Sequence, residues 1–309
     1  MDLQGKKIVI LGGSGFIGKS IVQRLAKAGA LITVAVRHPA QGLFLKSMGE
    51  VGQITLMAVD FNKPLSLTTV LEGNDVVINL IGQLFEKSRT TFTYAHTEIP
   101  KLIAQECVKQ NIRTFIHFSA LGADVHSDSL YAQSKAQGEI EISKIMTPTI
   151  FRPSIVFGPD DNFFNRFAAI ATLSPFLPSF GGGKNKFQPV YVEDVAHAVI
   201  NVLTSPDKQG KIYELGGPEV YTFKELMEKI LKYCHRRRII LSLPYALGSM
   251  MSKIMEWLPT PPLTADQIKL LKTDNVVQGE VLTLQDLNIQ PQSIDTIVPP
   301  YLARFKPHF

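Results

Sequence analysis

The chain has little cysteine, a single tryptophan and no long apolar run. Its two cysteines, Cys107 and Cys234, stand far apart in 309 residues. That excludes a disulfide framework and fits a reducing compartment. The longest uncharged stretches, 167–183 and 239–252, are interrupted by Pro175, Pro178, three glycines and Pro244. Both fall short of the roughly 20 apolar residues that a bilayer crossing requires. No H-E-x-x-H helix, paired C-x-x-C or calcium-loop string occurs, so no metal is expected. No G-x-S-x-G elbow is present either. Gly181-Gly182-Gly183-Lys184 lacks the spacing and hydroxyl residue of a P-loop and reads as a loop over an interlobe cleft. The net charge of +5 is too thin a surplus for a nucleic-acid footprint. With 45% apolar and 19% charged residues, the composition excludes a disordered chain. A strand-like run begins at Lys6, which leaves no room for a secretory leader.

What is present alternates. Short runs rich in Val and Ile occur at 7–11, 31–36, 54–59, 76–81, 114–118 and 149–151, and they do not alternate apolar with polar. Such runs suit strands covered on both faces of a parallel sheet. Helical patterns lie between them, at 16–28, near Leu43, after Pro64, at 93–110 and at 130–145. The expected fold is α/β: a doubly wound parallel sheet of Rossmann type with a small C-terminal lobe. Residues 1–156, with a returning segment 188–215, form the nucleotide-binding domain in this reading. Residues 157–187 and 216–309, dense in Pro, Gly and Phe, form the lobe.

Gly12-Gly13-Ser14-Gly15-Phe16-Ile17-Gly18 follows the first strand and opens the first helix. Gly12 permits the tight turn, Gly15 lets backbone approach a pyrophosphate, and Gly18 lets the helix sit close to the sheet. Ser14, Phe16 and Ile17 then offer main-chain N–H groups at a helix start, where the dipole favours anions. An acid after the second strand would select NAD(H). This chain has Arg37-His38 there instead, and the guanidinium fork suits a 2′-phosphate, which favours NADP(H). Asp60 and Phe61 close the third strand, where they would meet the adenine edge.

Tyr131 and Lys135 are four residues apart, on one face of a helix. An ammonium beside a phenol favours phenolate, so Tyr131 is expected to exchange protons near neutral pH. Ser119 ends the preceding strand, at the edge where open sheets bind ligands, and would orient a substrate.

These residues together resemble the short-chain dehydrogenase/reductase superfamily, in its extended or atypical branch, over Lys6 to about Leu215. The resemblance implies that Leu80, Ile81 and Gly82 line the cofactor and that Pro153, Ile155 and Val156 approach its nicotinamide end. Longer strings are similar to the NADPH-binding accessory subunit of respiratory complex I, the alpha subcomplex subunit nine family. They run through 152–167, 181–195, 213–226 and 262–276. That family implies a tightly held NADPH away from the electron path and a structural or assembly role. It also implies partners in the peripheral arm near where quinone meets the membrane. The corresponding location is the cytoplasmic face of a bacterial inner membrane, or the matrix side for an organellar form. A free-standing reductase or nucleotide-sugar epimerase using Tyr131, Lys135 and Ser119 is the alternative.

In the lobe, His235-Arg236-Arg237-Arg238 precedes a helical pattern that begins at Pro244. Leu247, Met250, Met251, Ile254, Met255 and Leu258 recur at helical spacing, with Ser249, Ser252, Lys253 and Glu256 opposite. Basic residues, methionines and Trp257 suit an interfacial helix over 244–258, and the same stripe equally suits the core of the lobe. Thr264 and Gln267 predict a capping box opening a further helix. The histidines read as scattered, with His197 packed in the core.

Overall fold

A computed structural model of the chain describes residues 2–86, 90–258, 261 and 263–307. Pro262 of the last resemblance string and the side chain of Ile254 lie outside what is described.

The first half winds as β1 (Lys7–Leu11), α1 (Phe16–Lys27), β2 (Leu31–Val36), a 3₁₀ stretch (Pro39–Met48), β3 (Ile54–Ala58), α2 (Pro64–Leu71) and β4 (Val76–Asn79). It continues with α3 (Ile99–Lys109), β5 (Thr114–Phe118), α4 (Leu130–Ser143) and β6 (Thr149–Pro153). Later come β7 (Val156–Phe157), α5 (Phe164–Leu173), β8 (Phe176–Phe180), β9 (Lys186–Phe187), β10 (Val190–Tyr191), α6 (Val192–Thr204) and β11 (Ile212–Leu215). The chain ends with β12 (Tyr221–Thr222), α7 (Phe223–Tyr233), β13 (Ile239–Leu243), α8 (Tyr245–Met255), α9 (Ala265–Leu270) and α10 (Ile294–Leu302).

Seven strands form one parallel sheet in the order β11-β6-β5-β4-β1-β2-β3. Its faces are covered separately. Ile8, Ile10, Ile32 and Val34 meet the helix layer of α1 and α6, while Val9, Leu11, Val77 and Phe115 meet α2 and α3. Alternate residues of one strand thus enter two cores, which is why these strands show no polar face. The order reverses between β1 and β4, the switch point where such sheets open a crevice at their carboxyl edge.

β4 stops at Asn79, short of the expected Ile81. The Asn79 side chain accepts the Ile81 N–H at 3.1 Å and turns the chain out of the sheet. β6 runs two residues longer than expected, to Pro153, because β11 pairs along its whole length.

The lobe packs its own core around Phe157, Phe164, Leu226, Ile230 and Val298. Leu284, Leu287 and Ile289, late in the chain, join the core under the main sheet instead. The glycine triplet 181–183 is a 3₁₀ turn, and a Cβ at Gly181 would stand inside the Tyr245 ring. The Thr264/Gln267 capping box is present at the start of α9.

Helix α8, for which an interfacial and a core role were both open, turns small residues inward. Gly248 and Ser252 turn inward: a Cβ at Gly248 would press on Phe180 and Ile268, and Ser252 is fully buried. The Ser252 hydroxyl donates to the Ser249 carbonyl at 2.9 Å, so its burial leaves no donor unpaired. Met250 is consequently 59% exposed, and Trp257 and Leu258 beyond the helix end are 92% and 52% exposed. His197 also departs from expectation, standing exposed on α6 beside Arg24.

Candidate functional site

The loops leaving β1, β2, β3 and β4 share one sheet edge, because neighbouring parallel strands all end there. They carry Gly12–Gly18, Arg37 and His38, Asp60 and Phe61, and Leu80–Gly82.

Gly12 has φ +82°, and a Cβ on it would lie 3.2 Å from the Leu80 backbone. A Cβ at Gly18 would lie 2.5 Å from the Gly13 carbonyl oxygen, so only glycine lets α1 begin this close to the turn. Gly15 is the N-cap of α1; no side chain caps the helix start and no acid sits in its first turn. The leading N–H groups, around Phe16 and Ile17, therefore remain for an anion. The cradle fits a pyrophosphate.

Arg37 and His38 are exposed directly after β2, as an adenosine phosphate would require. Asp60 is a loop cap: it accepts from the Asn62 main chain at 3.0 Å and from its side chain at 3.1 Å. Phe61 beside it is half-buried. At the far end, Pro153 and Ser154 are buried, and Ile155 and Val156 are half-buried between β6 and β7.

The centre of the edge is built on α4. Ser129 caps the helix through the Ala132 N–H. The face it buries carries Ser134, Lys135, Gly138 and Glu139 alongside Ala132, Ala136 and Ile142. Gly138 permits this, since a Cβ there would lie 2.0 Å from the His96 carbonyl oxygen. His96 sits in a single wide π turn, Tyr94–Glu98, that leads into α3.

Lys135 Nζ donates to the Phe118 carbonyl at 3.1 Å. A Cβ at Gly82 would lie 3.3 Å from that nitrogen, which explains glycine at 82. Burial lowers the Lys135 ammonium to about 8, while the Glu139 carboxylate favours its charge. Glu139 in turn is gripped by Arg152 at 2.6 and 3.0 Å, and Arg152 also meets Glu214 at 3.3 Å. One ion-pair chain thus joins α4 to β6 and β11.

Tyr131 packs edge-on against Phe92 and His96, at 5.8 and 5.2 Å between ring centroids. Burial pushes its phenol up to about 12, and Lys135 Nζ lies 5.9 Å from its ring centroid. Desolvation outweighs an ammonium that is spent on the Phe118 carbonyl.

Two histidines that the sequence left scattered converge here. His96 Nε2 accepts the Gln83 N–H at 3.1 Å, so its proton is on Nδ1, facing Ser134 Oγ at 2.9 Å. Ser134 passes the chain on to the Tyr131 carbonyl at 2.8 Å. His117, paired with Asn79 at 3.1 Å, keeps a buried Nε2 without a partner among the described residues. Ser119 Oγ is buried and unpartnered likewise. Two orphaned polar atoms at a carboxyl edge are what a bound ligand would satisfy. Burial, with help from Lys135, lowers His96 to about 2 and His117 to about 3.

Asp266 was also missed. From α9 it accepts the Ser129 hydroxyl at 2.7 Å and the Leu130 and Tyr131 N–H groups at 2.8 and 3.2 Å. No sequence signal links residues so far apart. Among the described residues, no three metal-ligating side chains converge and no helix is long and apolar enough to cross a membrane.

A glycine cradle at a switch point, with a Tyr–Lys helix beside it, defines a dinucleotide-binding protein of the extended reductase and epimerase class. The chain belongs to the NAD dependent epimerase/dehydratase family, whose model matches residues 8–216. Its fold matches the Streptomyces venezuelae dTDP-glucose 4,6-dehydratase, solved with NAD and TYD bound, at TM-score 0.72 and 18% identity, over 97% of this chain and 96% of that one. Within the family it groups with the complex I alpha subcomplex subunit 9 proteins. It is 33% identical to the Arabidopsis thaliana mitochondrial NADH dehydrogenase (ubiquinone) 1 alpha subcomplex subunit 9, over 99% of this chain and 79% of that one. The Neurospora crassa 40 kDa subunit of NADH-ubiquinone oxidoreductase is 29% identical, over 99% and 81%.

Proposed function

We propose that this chain is an accessory subunit of respiratory complex I that holds NADP(H) as a structural ligand. It docks on the peripheral arm beside the membrane, near the quinone region. This is the cytoplasmic face of a bacterial inner membrane, or the matrix side in an organelle. The uncapped start of α1 beside exposed Arg37 carries the nucleotide part of the reading. The complex I part is supported by the named relatives, and the membrane-side orientation by the exposed Met250, Trp257 and Leu258 around the 244–258 segment. A nucleotide bound only to the folded chain stabilises it by about 4 kcal/mol at a thousandfold excess over Kd.

The second reading is a free-standing reductase or epimerase, with Tyr131 as proton donor, Lys135 as its electrostatic partner and Ser119 orienting the substrate. The shared fold and the Tyr131/Lys135 spacing favour it. The subunit 9 relatives favour the structural role.

Fractionation of solubilised native membranes tests the choice. The chain is expected to travel with complex I, and Tyr131→Phe is expected to assemble unchanged. A chain that never enters the complex, together with a turnover abolished by Tyr131→Phe, sinks the subunit reading. For the nucleotide, Arg37→Ala is expected to weaken NADPH about tenfold or more, the loss of a charge-assisted pair, and NADH little. Equal losses in calorimetric titration would remove the argument for the phosphorylated form.

A further inference from the structure

The main sheet has both faces covered, as parallel sheets ordinarily do. The two-stranded parallel sheet of β8 and β13 does not. Leu177 and Ile240 point into the lobe core, so by alternation Phe176, Ile239 and Leu241 point outward. These three are 46%, 62% and 44% exposed, and Leu173, just before β8, is exposed as well. The edge of this sheet is open too. β13 has no second neighbour beside β8. The Ile239 N–H donates to the Pro175 carbonyl at 3.1 Å, toward β8. Main-chain groups alternate sides along a strand, so those of Ile240 and Ser242 face away from β8. Neither finds a main-chain partner among the described residues. Exposed edges are ordinarily guarded by a lysine, a proline or a bulge. Ile-Ile-Leu-Ser-Leu carries neither residue and pairs in unbroken register.

Charge says what would pair there. Residues 162–192 and 229–255, which supply the two strands, contain no Asp or Glu, although the chain has 27. They hold three and six of its lysines and arginines respectively. Lys229 is answered by Asp295 at 2.8 Å. Arg236 Nε and Arg238 Nε donate to the Phe305 and Ala171 carbonyls, at 2.8 and 2.9 Å. Those contacts fix the two guanidiniums without neutralising them, and Arg237 between them is exposed. The open strand therefore begins at a fixed cluster of positive charge.

We infer that β13 is a docking edge for an extended segment of a partner protein, which adds to this sheet as a third strand. The segment lays apolar side chains over Phe176, Ile239 and Leu241 and brings carboxylates to Arg236, Arg237 and Arg238. Main-chain bonds supply affinity in such strand addition, and alternate side chains supply specificity. A bilayer is the poorer fit, because hydrocarbon offers no main-chain groups to Ile240 and Ser242. The inference rests on neither the nucleotide reading nor the complex I reading.

The full chain is titrated with a short peptide that alternates valine and threonine between terminal aspartates, and with the same peptide between lysines. Vesicles of phosphatidylcholine and phosphatidylglycerol form a third arm. Fluorescence anisotropy reads the peptides, and amide hydrogen exchange reads Ile240 and Ser242. The aspartate peptide is expected to bind saturably, about tenfold or more tighter than the lysine peptide, and to slow exchange at both amides. Ser242→Pro removes one outward N–H and leaves the bonds to β8 in place, while Ile239→Lys supplies the missing guard. Each should raise the Kd about tenfold or more, with cooperative thermal unfolding retained. Arg237→Glu should reverse the preference between the peptides. No saturable binding, equal affinity for the two peptides, or a Kd unchanged by both Ser242→Pro and Ile239→Lys overturns the proposal. If Ser242→Pro unfolds the chain, the Ile239→Lys titration alone decides. Protection of the two amides by vesicles without peptide overturns it too, because the face is then a lipid contact.

Discussion

Helix α4 buries Ser134, Lys135 and Glu139, while α8 turns glycine and serine inward and leaves Met250 to solvent. Both helices bury polar or small residues where an apolar side chain is usual. In α4 the buried charge is balanced on the spot: Lys135 faces Glu139, Glu139 faces Arg152, and Arg152 faces Glu214. In α8 the outward Met250 is left 59% exposed. A region that pays to desolvate charge is organised around an internal ligand. A region that leaves apolar surface wet is organised around an external contact.

The sharpest way to break this contrast is to remove the middle charge of the α4 chain. Glu139→Ala takes the carboxylate from Lys135 and leaves Arg152 with Glu214 alone. Breaking a buried pair by deleting one partner typically costs about 3–5 kcal/mol, and a fall of that order in urea-unfolding stability is expected. A loss below about 1 kcal/mol would mean that the pair behaves as a surface bridge and that α4 is not the charged core described here.

Acid is the next lever. His96 and His117 are held neutral, at about 2 and about 3, against the ordinary value of 6.5. The unfolded chain binds protons that the folded chain refuses, so stability must fall as pH drops. Their contribution is complete above about pH 6.5 and is lost progressively toward pH 3, at roughly 1.4 kcal/mol per pH unit for each histidine. Lys135, lowered to about 8 from 10.5, has finished changing above that window and does not blur it. Urea midpoints between pH 7 and pH 5 check the slope, and His117→Gln should flatten it. An unchanged slope would show that His117 titrates freely.

Much of this was open to the sequence and some of it was closed. The non-alternating strands, the glycine turn and the Tyr131–Lys135 spacing are local patterns, each set by a few adjacent residues, and they are where the pattern put them. The convergence of His96 with His117 depends on a π turn and on the pairing of β4 with β5, neither of which has a local signature. Asp266 reaches the start of α4 across 135 residues of chain to Tyr131. Which face of α8 turns inward was left open by the sequence, because burial there follows close packing of Gly248 on Phe180 and an internal hydroxyl bond at Ser252, while periodicity tracks hydrophobicity alone.

Identical substitutions in the two helices sharpen the contrast further. Gly138→Ala sets a methyl group 2.0 Å from the His96 carbonyl oxygen, a backbone atom that cannot turn aside. Overpacking of this kind costs about 1–3 kcal/mol, more than the helix-propensity gain of about 1 kcal/mol from replacing glycine. Gly248→Ala meets the buried Phe180 ring and Ile268 side chain at 2.8 and 3.0 Å, a looser clash than the backbone one at Gly138. There the same gain offsets part of the crowding, so thermal unfolding should drop further for the first variant than for the second. Equal drops would make α8 as tightly held as α4.

The smallest stability effect belongs to Met250→Glu. Its side chain is mostly in water, so the substitution is expected to change unfolding free energy by no more than about 0.5 kcal/mol. What should change is association: the carboxylate would stand on the apolar face proposed to meet the membrane side of the complex, and desolvating it there is costly. The variant should therefore fold and bind NADPH normally, yet be found in the soluble fraction after gentle membrane solubilisation. If it unfolds early, Met250 is a packing residue and the outward face of α8 is part of the lobe core. If it folds and still assembles, the external contact lies elsewhere on the lobe, with the exposed Leu173 and Ile239 beside β8 and β13 the next surface to probe.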